Sequence, residues 1–186
     1  MTAPALPTAS APKAIRRFRG DRKGSAAVQF AFIAPLFFAL LFAIIEASMV
    51  FFAGQILESG TADSARLFMT HQAQDTNMTK EQFETDLCSH VSVLFDCNKL
   101  VVSVKAYPAG TPIPSADLAL PIKGGAFAPN PTYEVGLPES TMVVRTFYQW
   151  PLFVTGLGFN IADIGRDTGD SKKLLAATAA FRVEPK

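Results

Sequence analysis

Cysteine and histidine are scarce in this chain, which has two of each among 186 residues. Two cysteines do not fill a tetrahedral zinc site, and His71 and His90 lack ligand-like spacing with them. Cys88 and Cys97 are better explained as a disulfide that closes a short loop, which requires an oxidising compartment. We therefore favour a Cys88–Cys97 disulfide over a metal site.

Catalytic motifs are also missing from the sequence. There is no Gly-x-Ser-x-Gly nucleophile elbow, no phosphate-binding glycine loop and no His-Glu-x-x-His motif. The acidic stretch from Asp163 to Asp170 does not have EF-hand spacing, and its Asp and Gly residues are typical of turns. We predict that the chain is not an enzyme and uses no cofactor.

Charge is absent from one long stretch near the start, Ser25 to Ile45, which holds twenty-one uncharged residues. A helix of that length crosses about 30 Å of hydrocarbon. A buried core helix is an alternative, but such helices seldom have so long an apolar run. A cleaved secretory signal is another, but its apolar region is shorter. The stretch predicts a transmembrane helix over residues 25–53.

The segment before this helix is basic and is predicted to be disordered over residues 1–24. It carries one acid, Asp21, against six basic residues: Lys13, Arg16, Arg17, Arg19, Arg22 and Lys23. Short basic flanks stay in the cytoplasm, so the rest of the chain is expected outside it. Because the run adjoins a membrane span, lipid headgroups are better partners for it than nucleic acid.

Residues 54–186 are predicted to form a small α+β domain outside the cytoplasm. The first helix should continue to about Thr70, with Ile56, Ser59 or Gly60, Asp63 and Leu67 in a pattern that is apolar on one side. A capping box at Thr79 predicts a second helix. Alternating β-branched residues predict strands near 100–107, 141–150 and 174–183, in an antiparallel sheet. The Pro- and Gly-rich residues 108–140 are predicted to be a long exposed loop.

The membrane boundary reads Lys23-Gly-Ser-Ala-Ala-Val-Gln-Phe30, with Pro35 five residues further on. This segment resembles the start of TadE-like proteins, the pseudopilins or minor pilins of tight-adherence (Flp-type) pili. The resemblance implies cleavage by a prepilin peptidase between Gly24 and Ser25, and a docking and recognition role for Gln29 and Phe30. It also implies other pilins and the pilus-assembly platform as partners, in the bacterial inner membrane with a periplasmic C-terminal domain.

One position departs from the family pattern, in which the fifth residue after the cut is glutamate rather than Gln29. That carboxylate is expected to neutralise the N-terminal amine of a neighbouring subunit, and glutamine supplies no charge. Gln29 favours a minor or initiating subunit over a bulk fibre subunit. Glu46 lies too far along the helix to replace the carboxylate and reads as a charge at the end of the span.

We therefore predict a minor pilin or pseudopilin of tight-adherence pilus assembly or secretion. The alternative is an uncleaved, membrane-anchored accessory protein. Such a protein would scaffold the secretion machinery or bind an envelope ligand through residues 108–140.

Overall fold

The computed structural model describes residues 24–155, 159–166 and 168–185. Its first element is helix α1, Ser25–Met69, which has 45 residues and runs without interruption through Pro35 and two glycines. The predicted continuation of the apolar helix to about Thr70 agrees with this. The predicted disordered leader lies outside the described residues except for Gly24.

The chain divides into two compact units, residues 1–41 and 42–186. In the first unit the side chains of α1 are exposed over most of its circumference, as with Phe32 at 80% and Leu36 at 76% exposure. In the second unit, α1 acquires a buried face from Val50 onward. Within 42–186, this face belongs to the hydrophobic core.

The buried face of α1 is offset from the stripe predicted by the sequence. Asp63 is exposed, and Ile56 and Leu67 are only partly buried. The buried positions are small or apolar: Val50, Ala53, Leu57, Gly60, Thr61, Ser64, Ala65 and Phe68. Of the predicted positions only Gly60 is buried, because the sheet and the second long helix pack against a face made mostly of small residues.

The second long helix, α3, covers Lys80–Val91 and follows a single turn, α2, at Gln72–Asp75. The predicted capping box is formed, since the Thr79 hydroxyl accepts from Gln82 N and the Gln82 side chain accepts from Thr79 N. Phe83, Leu87 and Val91 point into the core. A 3-10 turn, Cys97–Lys99, then leads into the sheet.

The sheet has three antiparallel strands in the order β1-β4-β5. They are β1 at Val101–Tyr107, β4 at Thr141–Pro151 and β5 at Lys172–Arg182. Residues such as Val104, Val144 and Ala177 face the core together with α1 and α3. The predicted α+β class, with a long apolar helix and a short antiparallel sheet, is confirmed.

Residues 108–140 are more ordered than the predicted loop. They contain a helical turn, α4, at Ser115–Leu118 and a small hairpin of β2, Ile122–Lys123, and β3, Ala126–Phe127. Thr132–Glu134 also pairs with the outer edge of β1, where Val104 N donates to Thr132 O and Glu134 N donates to Val104 O. These backbone bonds use an edge that would otherwise be free.

The close approach of α1 and α3 depends on Gly60. A Cβ placed on Gly60 would lie 2.5 Å from Val91 Cγ1 and 3.3 Å from His90 Cβ. Gly54 lies in the same helix, and a Cβ there would meet nothing within 4 Å. Gly60 is therefore a packing requirement, whereas Gly54 is not.

We expect Gly60→Ala to destabilise the protein by up to about 2 kcal/mol, because a steric cost of about 1–3 kcal/mol outweighs a gain in helix propensity of about 1 kcal/mol. Gly54→Ala is the matched control and should be neutral or stabilise the protein by up to about 1 kcal/mol. The measurement is thermal unfolding of the full chain in detergent, followed by near-UV circular dichroism. Equal effects of the two substitutions would contradict the packing role of Gly60.

Candidate functional site

The predicted processing segment lies at the first turn of α1. Ser25 begins the helix directly after Gly24, and both residues are exposed. Gln29 lies one turn later on the same face as Ser25, and Phe30 beside it is 67% exposed. A Cβ on Gly24 would meet nothing within 4 Å. The described part of the chain therefore leaves the Gly24–Ser25 bond sterically open.

The apolar part of α1 is the only candidate membrane span among the described residues. Its most apolar window has a mean hydropathy of 2.5, and none of that window is buried within the structure. The core helix of a soluble protein would be mostly buried, so this observation argues against that alternative. Length and composition alone leave open a signal sequence, which has the same position and character.

Glu46 follows this uncharged run and is bonded to a distant segment of the chain. Its carboxylate accepts hydrogen bonds from the backbone amides of Phe153 and Val154, which follow β4. Val154 N lies 3.1 Å from each carboxylate oxygen. The carboxylate has a structural task in its own chain, in keeping with its interpretation as a charge at the end of the span.

Comparison with known families gives a match over this same region. Residues 24–66 match the family model described as TadE-like protein. This segment is TadE-like. The match begins at Gly24, covers less than a quarter of the chain and ends within α1. No curated protein and no solved structure matches the chain significantly.

The match confirms the predicted TadE-like resemblance and supports a protein associated with Tad pili. The TadE-like family is a structural, pilus-associated family, in keeping with the absence of catalytic motifs from the sequence. The apolar helix in the TadE-like segment suggests a single-pass membrane protein. Cleavage after Gly24 and docking through Gln29 and Phe30 stay predictions.

The two cysteines form the predicted disulfide, with 5.7 Å between their Cα atoms. Cys88 lies in the last turns of α3, and Cys97 begins the 3-10 turn before β1. The bond ties the end of the helix to the start of the sheet. A closed loop of this size contributes about 2–4 kcal/mol to stability.

A second polar site, beyond the TadE-like segment, was missed by the sequence reasoning. Arg145 lies in the central strand β4, only 9% exposed, on the sheet face opposite the helices. Its guanidinium donates to the backbone carbonyls of α4 and the residue after it: Asp117 at 2.6 Å, Leu118 at 3.0 Å and Ala119 at 3.0 Å. Arg145 therefore caps the C-terminal end of this helical turn and pins residues 115–119 to the sheet.

Asp117 adds a side-chain contact that also holds residues 115–119 against the sheet. Lys105 Nζ and Tyr107 OH both donate to its carboxylate, each at 2.7 Å. The hydrogen bond from Lys105, followed by that from Tyr107, lowers the pKa of Asp117 below its usual range. The bond to Asp117 raises the pKa of Lys105, and burial lowers the pKa of Arg145. No local sequence pattern indicates this cluster, since its members come from three separate segments.

A cavity of about 460 Å³ lies between the sheet and residues 116–132. Its walls include Ser103, Lys105, Asp117, Pro131 and Arg145. The guanidinium terminal nitrogens and the Asp117 carboxylate already have partners within the chain. The cavity is therefore the space under an anchored segment, with its charged groups directed to structural contacts.

The acidic stretch before β5 is built from ion pairs and turns. Asp163 pairs with Lys173 Nζ at 3.0 Å and accepts from Leu174 N, and Asp170 pairs with Lys172. Across residues 24–155, 159–166 and 168–185, no cluster of three His, Cys, Asp or Glu side chains is suited to a metal ion. The side chains of Asp163 and Asp170 are therefore engaged by Lys173, Leu174 N and Lys172.

The Asp117 cluster should make the anchoring of residues 115–119 depend on pH. Because the folded-state pKa of Asp117 lies below its unfolded value, its contribution is complete above about pH 4 and is lost as the pH falls through the folded pKa. We expect Asp117→Asn to destabilise the protein at neutral pH, and the difference from wild type to vanish in acid. Urea unfolding between neutral pH and strong acid measures both effects.

Asp170→Asn is the matched control, because Asp170 also pairs with a lysine but its side chain is 80% exposed. Exposed ion pairs contribute little, so this substitution should change stability by less than about 0.5 kcal/mol at any pH. A loss for Asp117→Asn that is the same in acid as at neutral pH would contradict the role of the ionised carboxylate.

Proposed function

We propose that this protein is a TadE-like minor pilin or pseudopilin, a structural membrane component of tight-adherence pilus assembly or secretion. The observation that carries the proposal is the TadE-like match, which starts at Gly24, one residue before α1 begins. A prepilin peptidase cutting between Gly24 and Ser25 would leave a mature chain whose first residue is the first residue of the helix.

Two structural features support processing at this bond. Gly24 and Ser25 are exposed, and no described side chain crowds the position where a Cβ of Gly24 would be. A glycine at this place lets a protease approach the backbone closely. The basic residues 13–23 would hold the leader at the cytoplasmic face, where the cut is made.

Residues 42–186 would contribute to the proposed role by packing rather than by catalysis. Several of their charged groups form internal contacts, among them Glu46, Asp117 and Asp163. A disulfide between Cys88 and Cys97 fits a periplasmic domain, where thiols are oxidised. The inner membrane, with the N-terminus in the cytoplasm, is the corresponding location.

One observation favours a second candidate, the uncleaved accessory protein that anchors or scaffolds the secretion machinery. Gln29 replaces the carboxylate that pilin-like docking uses, and Glu46 cannot take over because its oxygens bind backbone amides 107 and 108 residues further along the chain. Weak docking suits either a minor subunit present in few copies or an anchor that does not polymerise. Processing distinguishes the two candidates.

The deciding experiment measures the intact mass and N-terminal sequence of the membrane-extracted protein from cells with and without the prepilin peptidase. We expect a peptidase-dependent start at Ser25, and Gly24→Leu should abolish it. Gly54→Leu is the matched control, because a Cβ at either glycine meets nothing within 4 Å. A chain that starts at Met1 or Thr2 in both strains would leave the accessory protein as the better assignment.

Restoring the carboxylate tests the docking role of Gln29 separately. Gln29→Glu should increase the amount recovered with sheared filaments or the assembly complex by about tenfold, since a charge-assisted hydrogen bond contributes roughly 1.5 kcal/mol more than is lost by desolvation. Processing at Ser25 should not change. Unaltered recovery in a strain that processes the protein would contradict docking through position 29.

A further inference from the structure

The connection after β4 exposes large apolar side chains. Phe153 is 85% exposed, and Phe159 and Ile161 in the same connection are 51% and 37% exposed. We call residues 152–155 and 159–161 the apolar connection. Between Arg145 and Asp163 the sequence has no charged residue over seventeen positions. Exposed apolar surface without charge is typical of a region covered by something other than water.

The hydrogen bonds to Glu46 fix the height of this connection along α1. Phe153 N and Val154 N both donate to the Glu46 carboxylate, so their backbone lies beside that turn of the helix. Glu46 is the first charged residue after the uncharged run of twenty-one residues, 25–45. As a helix, a run of that length suffices to cross the hydrocarbon core of a bilayer, which is about 30 Å thick. Phe153 therefore lies beside the residue at which the predicted apolar span ends.

The other end of the sheet gives an independent measure of the same height. Glu184 N donates to Met69 O, and Val183 N donates to Ser140 O, so the start of β4 lies near the end of α1. From Met69 back to Glu46 the helix covers about 35 Å, and the eleven residues of β4 extend over about 33 Å. The strand and the helix thus run side by side, and the end of β4 reaches the turn that holds Glu46.

The helix itself stays apolar and exposed for a short distance beyond Glu46. Met49, Phe51 and Phe52 are 42%, 74% and 55% exposed. Phe52 lies about 9 Å beyond Glu46 along the axis, which matches the depth to which apolar side chains enter the headgroup region. Two backbone donors satisfy the Glu46 carboxylate, which reduces the cost of moving it toward a less polar medium.

We propose that the apolar connection and the exposed helix residues Met49, Phe51 and Phe52 insert into the outer lipid surface, so that the domain rests on the membrane at this end. Lipid is the occupant because the apolar connection lies beside the turn of α1 at which the uncharged run ends, and because it carries no charge itself. The proposal rests on the membrane span of the proposed function. Glu46 acts as the tether that holds Phe153 at the level of the lipid headgroups.

The test places one tryptophan reporter at a time in the full chain, reconstituted in phosphatidylcholine and phosphatidylglycerol vesicles, with Trp150→Phe as background. We expect lipids brominated at shallow acyl positions to quench the fluorescence of Phe153→Trp by about twofold, the result of insertion near the headgroups. Aqueous iodide should quench it weakly. Strong quenching by iodide and none by brominated lipid would overturn the proposal.

Two further reporters separate this inference from the membrane span. Leu137→Trp is the matched control, because Leu137 is 76% exposed but lies beside Ser140 at the opposite end of the sheet, and only iodide should quench it. Phe37→Trp should be quenched best by deeply brominated lipid. If brominated lipid quenches Phe37→Trp but not Phe153→Trp, the proposed lipid contact of the connection is wrong and the membrane span is supported. If brominated lipid quenches neither reporter, the lipid contact and the membrane span are both wrong.

The tether is tested with the Phe153→Trp reporter in place. Glu46→Ala should lower its quenching by shallow brominated lipid toward that of Leu137→Trp, whereas Glu46→Gln, which keeps one acceptor oxygen, should have a smaller effect. Ser48→Ala is the control, because the Ser48 hydroxyl donates to Ile44 O, within its own helix. Unchanged quenching in Glu46→Ala would contradict the tethering role.

Discussion

The packing of the second half of α1 against the sheet and α3 is the contact on which the rest of the structure depends. It buries Leu57 and Phe68 completely, and it is possible because the residues between them on that face are small. Gly60 lets Val91 approach within a distance that any side chain would prevent. Burying these apolar groups provides the main favourable free energy of the fold.

This contact also explains why one helix has two surfaces of different character. In the first unit, α1 presents apolar side chains all round, which is unfavourable in water and favourable in lipid. In residues 50–68 the same helix has one face against a core and another exposed. Within residues 42–69 the helix is not interrupted, so the number of residues between two positions converts into a distance along its axis.

The anchoring of residues 108–140 is a second, independent layer of the structure. Three backbone carbonyls accept hydrogen bonds from Arg145, which offsets part of the cost of burying its charge, and without Arg145 the turn would leave those carbonyls unpaired. Lys105 and Tyr107 hold Asp117 beside it. A segment rich in proline and glycine is thereby ordered by side chains of the sheet, because its own strands β2 and β3 pair over only two residues each.

Several elements could be predicted because their signals are local. The uncharged run fixes the apolar helix, the capping box at Thr79 fixes the start of α3, and alternation fixes the three strands to within two residues. The TadE-like segment was recognised from the order of residues around Gly24 and Gln29, and the family match covers the same region. Hydrogen bonds within a helix and periodic burial act over a few residues, so the sequence reveals them.

The tertiary structure alone decided which face of α1 is buried, which amides bind Glu46 and which carbonyls accept from Arg145. Each of these depends on residues far apart in the chain, as with Glu46 and Phe153 or Arg145 and Leu118. Ile56 and Leu67 were predicted on the same face as Gly60, but close packing buries Leu57 and Ser64 beside it. The sequence thus determined the elements and the family resemblance. Their contacts were decided by the fit of distant surfaces, since packing density and hydrogen-bond satisfaction are properties of the assembled fold.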